Sequence, residues 1–135
     1  MTLRPVIAAL AFAALAIAPA AAQPEQQPDE PDMPQLRGED WYRGQLVELS
    51  EVLGGAHYLR ILCEGRGDQR WRNYMRGVIE REPDYNAQLV EGFNRGYRNE
   101  EARFPSCDET ARQTEAELRA RGLRVAQALS ARYAQ

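Results

Sequence analysis

The segment DWYRGQLVELSEVLGGAHYLRILC, residues 40–63, decides the architecture. Its residues Leu46, Leu49, Val52, Leu53, Ala56, Leu59 and Cys63 return every three or four positions, the period of one face of an α-helix. Asp40 is placed to cap that helix, which is expected to bury a single stripe. The same period continues downstream. After the break Gly65-Arg66-Gly67, Asp68 can cap a second helix carrying Trp71, Tyr74, Met75, Val78 and Ile79 inward, and Pro83 ends it. Asp84 then opens a third helix with Leu89, Val90, Phe93, Tyr97 and Phe104 inward, stopped by Pro105. Ser106-Cys107-Asp108-Glu109 has the spacing of a capping box, in which Ser106 starts a fourth helix facing inward with Ala111, Thr114, Leu118, Val125, Leu129 and Tyr133. Glu91/Arg95, Glu115/Arg119 and Glu117/Arg121 sit at i,i+4 with the acid first, as on solvated helix faces. No alternating strand pattern competes. The fold class is therefore all-α, a small antiparallel bundle of about four helices.

Upstream the chain changes character. Residues 1–22 carry one charge, Arg4, then the apolar run Val6 to Ala18, Pro19 and the small residues Ala20-Ala21-Ala22. This is the layout of a secretory signal peptide cut after Ala22, and the run is too short for a membrane span of about 20 residues. Residues 23–40 hold four of the eight prolines, six acids and only Met33 and Leu36 as apolar residues. Such a segment cannot bury enough surface to offset its ordering entropy and reads as a disordered acidic leader. Residues 41–135, the helical domain, hold 15 Arg and 14 acids, so the formal charge of −3 belongs to the leader. That balance excludes a generally basic nucleic-acid binder. Lys is absent throughout, and the arginines with the many alanines reflect GC-rich codons more simply than anion contacts.

The chain has two cysteines, Cys63 at the end of the first helix and Cys107 at the start of the fourth. In an exported chain this pair predicts a disulfide, worth about 4 kcal/mol by loop entropy, which a core this small would need. A redox pair is the rival, but 44 residues separate the two and no CxxC is formed.

The pieces LGGAHYLRILC (53–63), WRNYM (71–75), FNRGY (93–97), Cys107 and the terminal Arg132-Tyr133 together resemble a family of small secreted alphaproteobacterial proteins of unknown function. The resemblance covers nearly all of residues 41–133 and implies fold and compartment, with no activity or catalytic residue.

Function is carried by few candidates. His57 is the sole histidine, flanked on its helix by Leu53, Gly54, Arg60 and Ile61. It reads as a core residue; as a general base it would need a carboxylate from another helix. Gly54 and Gly55 cost about 1 kcal/mol each in a helix, which calls for close packing, against Phe93 or Tyr97, or a kink opening a pocket beside His57. Asn94 and Arg95 lie between Phe93 and Tyr97, so if the chain holds a small-molecule site its place is where HYLR meets FNRGY, with His57, Tyr58, Arg60, Asn94, Arg95 and Tyr97 as binding candidates; the bland reading of the same face is structural. No metal site and no cofactor are expected, since one His and bonded cysteines leave only carboxylates as ligands. The chain reads best as a periplasmic binding or protein-interaction module whose partner is an envelope protein or a small ligand, with no nucleic acid and no transmembrane anchor. The alternatives are a hydrolase-type enzyme using His57 and Arg60, and an acid-stress periplasmic chaperone, the last by analogy alone.

Overall fold

The computed structural model describes residues 33–133, with side chains for 38–132. The expected signal peptide, its cleavage point, the leader up to residue 32 and the inward side chain of Tyr133 lie outside the described residues. Four helices follow in order: α1 (Met33–Glu64), α2 (Arg70–Arg81), α3 (Asn86–Arg103) and α4 (Glu109–Tyr133). No described helix is long and apolar enough to cross a membrane.

α1 starts earlier than the cap expected at Asp40. Pro34 is the last proline before Pro83, and a proline in the first turn costs no helical hydrogen bond. Nothing after it stops propagation, so α1 takes in the end of the segment read as leader. Asp40 is an exposed mid-helix residue, paired with Arg43 at 2.6 Å. At the other end Gly65, at φ +103°, occupies the left-handed conformation that closes the helix, and its N–H donates to Ile61 O at 3.1 Å.

The other helix starts also differ from expectation. α2 begins at Arg70 behind an N-cap residue, Gln69, that makes no side-chain cap bond. Asp68 reaches only the Arg70 N–H, at 3.4 Å, because its carboxylate is held by Arg60. A single 3₁₀ turn over Pro83–Tyr85 precedes α3 and contains Asp84. α4 is capped by Asp108, whose Oδ1 accepts from the Ala111 N–H at 2.7 Å, and not by Ser106. Asp108 wins because it sits directly before the first helical residue, where a short acceptor reaches the third amide.

Packing fixes an up-down-up-down path. Leu46 and Leu49 in the middle of α1 share a core with Val125 and Leu129 toward the end of α4, while Leu59 near the end of α1 packs with Ala111 at the start of α4. α1 and α4 are therefore antiparallel. α1 and α3 run the same way: Ser50 lies against Gly92, and Tyr58 donates its hydroxyl proton to Phe104 O. Tyr42 likewise bonds Glu82, and Arg60 bonds Asp68, which sets α2 antiparallel to α1. Flanked by α3 and α4, α1 is buried on every side from Val52 to Leu59, so the single stripe expected there is corrected to a full turn-by-turn burial. Tyr74 and Val90, expected inward, are 46% and 43% exposed. Cys63 and Cys107 form the disulfide, with their Cα atoms 5.1 Å apart, tying the end of α1 to the entry of α4.

Candidate functional site

The site begins with glycines. A Cβ at Gly54 would overlap the Phe93 main-chain carbonyl, one at Gly96 the carbonyl of Glu51, and one at Gly92 the Ser50 hydroxyl. Side chains at these positions would hold α1 and α3 apart, so the cost of glycine in a helix is offset by backbone contact. Of the two explanations open for Gly54-Gly55, close packing is the one observed.

His57 lies one turn beyond Gly54 and so meets the same part of α3. Its ring centroid is 5.6 Å from that of Phe93 and 6.0 Å from that of Tyr97, and the residue is 6% exposed. Nδ1 is buried with no hydrogen-bond partner. Burial first, and the Arg72 charge second, push the imidazole pKa below its ordinary value, against a smaller opposing pull from Asp68. A cation here would bury an unanswered N–H donor, so the ring is held neutral. The less costly tautomer leaves Nδ1 as a bare acceptor and places the proton on Nε2.

Beside His57 opens a cleft of about 590 Å³ between α1, α2 and α3. Its apolar surface comes from Ile61, Met75, Ile79, Val90, Phe93 and Tyr97, and its polar surface from His57, Asn94, Gln69, Glu80 and the arginines 66, 72 and 76. The volume falls within the range of about 300–1,000 Å³ typical of small-ligand pockets.

Three of the six sequence candidates meet in this cleft: His57, Asn94 and Tyr97. Asn94 is exposed, so it needs no internal partner, contrary to the burial its apolar neighbours suggested. The other three are turned elsewhere. Tyr58 sits in the second core cluster with its ring 5.1 Å from Tyr97, and burial raises its pKa. Arg60 donates to Asp68 Oδ2 through Nε at 3.0 Å and Nη2 at 2.9 Å, lies 3.9 Å from Glu115, and lines a separate cavity of about 100 Å³. Arg95 pairs with Glu51 and, at 3.9 Å, with Glu91. His57 and Arg60, used together in the hydrolase reading, therefore face different spaces: His57 lines the cleft, whereas Arg60 is held by Asp68 and Glu115 beside a separate cavity.

The residues that were missed are Arg66, Gln69, Arg72 and Arg76. Their signal was present, since 69, 72 and 76 fall on one face of a helix beside Met75 and Ile79. Arginines on a helix ordinarily form a solvated face, and periodicity alone cannot show that this one borders a concavity. Another groove, of about 460 Å³ and lined by Leu53, Trp71, Tyr74 and Leu123 among others, runs between α2 and α4. Among the described residues no group of three His, Cys, Asp or Glu is placed to hold a metal ion.

The described residues thus form a small disulfide-linked helical bundle with a ligand-sized cleft beside a buried histidine. Residues 41–133 match the model of the family described as Protein of unknown function (DUF2385), and the chain belongs to that family. Comparison with the curated proteins and with the solved structures found no match.

Proposed function

We propose that this protein is an exported, periplasmic binding module whose cleft between α1, α2 and α3 takes a small ligand. The observation that carries this reading is the cleft itself, a concavity of about 590 Å³ that mixes apolar and polar lining and holds a buried, neutral His57 whose Nδ1 has no partner. Binding is favoured over catalysis because the rings of Phe93 and Tyr97, not a carboxylate, border the imidazole. A general base would need a group to orient it.

Export is supported by the sequence of residues 1–22 and fits the Cys63–Cys107 disulfide, a bond that persists in oxidising compartments. The likeness to secreted alphaproteobacterial proteins points the same way. N-terminal sequencing of protein from the periplasmic fraction is expected to start at Gln23; full-length protein in the membrane fraction would contradict export.

The binding reading is tested by titrating a fragment collection of neutral, anionic and cationic compounds into ¹⁵N-labelled protein. Binders should shift the amides of His57, Asn94 and Tyr97, and Val90→Trp, which fills the rim from an exposed position, should abolish the shifts. Absence of any shift at these amides, or shifts unaffected by the Val90 change, would overturn the reading.

A further inference from the structure

Resting on the binding reading above, we propose that the cleft selects amphiphilic anions: compounds with a single carboxylate or phosphomonoester and an apolar or aromatic body. Arg66, Arg72 and Arg76 border the cleft, each exposed, and none has an ion-pair partner among the described residues. Elsewhere in the bundle most arginines are committed: Arg43, Arg60, Arg70, Arg95, Arg103, Arg112, Arg119 and Arg121 all face acids. Uncommitted guanidinium groups beside a concavity offer forked donors that match a carboxylate or phosphate.

The charges lining the cleft are also unevenly placed along α2. Gln69 is the N-cap of α2 and makes no side-chain cap bond, and Arg72 lies in the first turn, so the positive end of the helix dipole adds to the charge of Arg66 and Arg72. The nearby Asp68 carboxylate accepts from the Arg70 N–H at 3.4 Å, but it is also paired with Arg60 at 2.9 Å and with Arg70 at 3.3 Å, so it offsets this positive end only in part. Glu80, the one acid lining the cleft, follows two turns later, about 12 Å along the axis from Arg72. An anion is therefore drawn to the Arg66–Arg72 end and repelled from the other.

Between the ends lie Met75, Ile79, Phe93 and Tyr97, which would cover an apolar or ring-shaped body. The buried, unpartnered His57 fits the same ligand. With Nδ1 sealed, Nε2–H is the donor left to the cleft, and a donor there prefers an acceptor such as an anionic oxygen.

The test uses the whole protein and four probes below their micellar concentrations: decanoate, decyl phosphate, decanol and decyltrimethylammonium, with inorganic phosphate as a fifth. Calorimetric titration should give binding of decanoate and decyl phosphate at least tenfold tighter than decanol, and none of the cationic probe. Arg72→Gln and Arg76→Gln should each weaken decyl phosphate by about tenfold, as expected for a charge-assisted hydrogen bond. Arg124→Gln, the same charge change on the exposed face of α4, should leave it unchanged. Decanol binding as tightly as decanoate, with Arg72→Gln silent, would overturn anion selection while the binding reading stands. Inorganic phosphate matching decyl phosphate would overturn the need for an apolar body. No heat with any probe, together with no amide shift at His57 in the fragment titration, would remove both readings.

Discussion

Two glycines in the same helix meet opposite fates when given a methyl group. At Gly54 the added Cβ collides with main chain, which cannot swing aside as a side chain can, so Gly54→Ala should cost at the upper end of the about 1–3 kcal/mol typical of overpacking. At Gly44, with nothing within 4 Å, the same change removes only the unfolded-state freedom of glycine and should stabilise by about 0.5–1 kcal/mol. Urea unfolding of the two variants checks both signs. His57 adds a dependence on pH. Its folded pKa lies below the ordinary 6.5, so as pH falls the unfolded chain takes up the proton first. This group leaves stability unchanged above about pH 6.5 and lowers it progressively from there down through the depressed folded value. The wild type should therefore lose stability between pH 7 and 5 faster than His57→Gln, which cannot titrate; parallel curves would contradict the burial of a neutral imidazole.

At the level of elements, the cap of α4 is the most direct test of how the helices begin. Asp108→Ala removes the acceptor for the Ala111 amide and should cost about 1 kcal/mol, whereas Ser106→Ala should be nearly neutral. Thermal unfolding of both distinguishes them. The helices themselves were legible because Leu46, Leu49, Leu53 and Leu59 repeat with the helical period, and so was the disulfide, because a chain that reads as exported holds a single pair of cysteines. The start of α1 was less so: an acidic, proline-containing stretch reads as leader, yet after Pro34 it contains no residue that stops a helix. Tyr74 and Val90 were assigned inward by period alone, but their exposure depends on how far α2 lies from its neighbours, and no local pattern encodes that distance. The same reason divides the site. His57, Asn94 and Tyr97 were foreseen because the glycines beside them demanded close contact, while Arg66, Arg72 and Arg76 belong to a helix whose position over the cleft is set only by tertiary packing.

For the whole molecule, a bundle of this size has little apolar surface to spare, and one covalent tie carries a large share of its margin. Closing a loop between Cys63 and Cys107, 44 positions apart, is worth about 4 kcal/mol in chain entropy. Reduction should therefore lower the unfolding midpoint sharply, and thiol counting on denatured, unreduced protein should find no free thiol. The tie joins the end of α1 to the entry of α4, and neither cysteine lines the cleft, so it supports the frame and leaves the α1–α2–α3 face open. That face is where the central claim stands or falls. The chain's one histidine gives a single imidazole signal, free of overlap, and its NMR titration is the most direct measurement. The account predicts a neutral ring at pH 7, a pKa below 6.5, and a clear displacement of the signal when decanoate is added, lost in Val90→Trp. An imidazole that titrates at its ordinary value and ignores every ligand would contradict it.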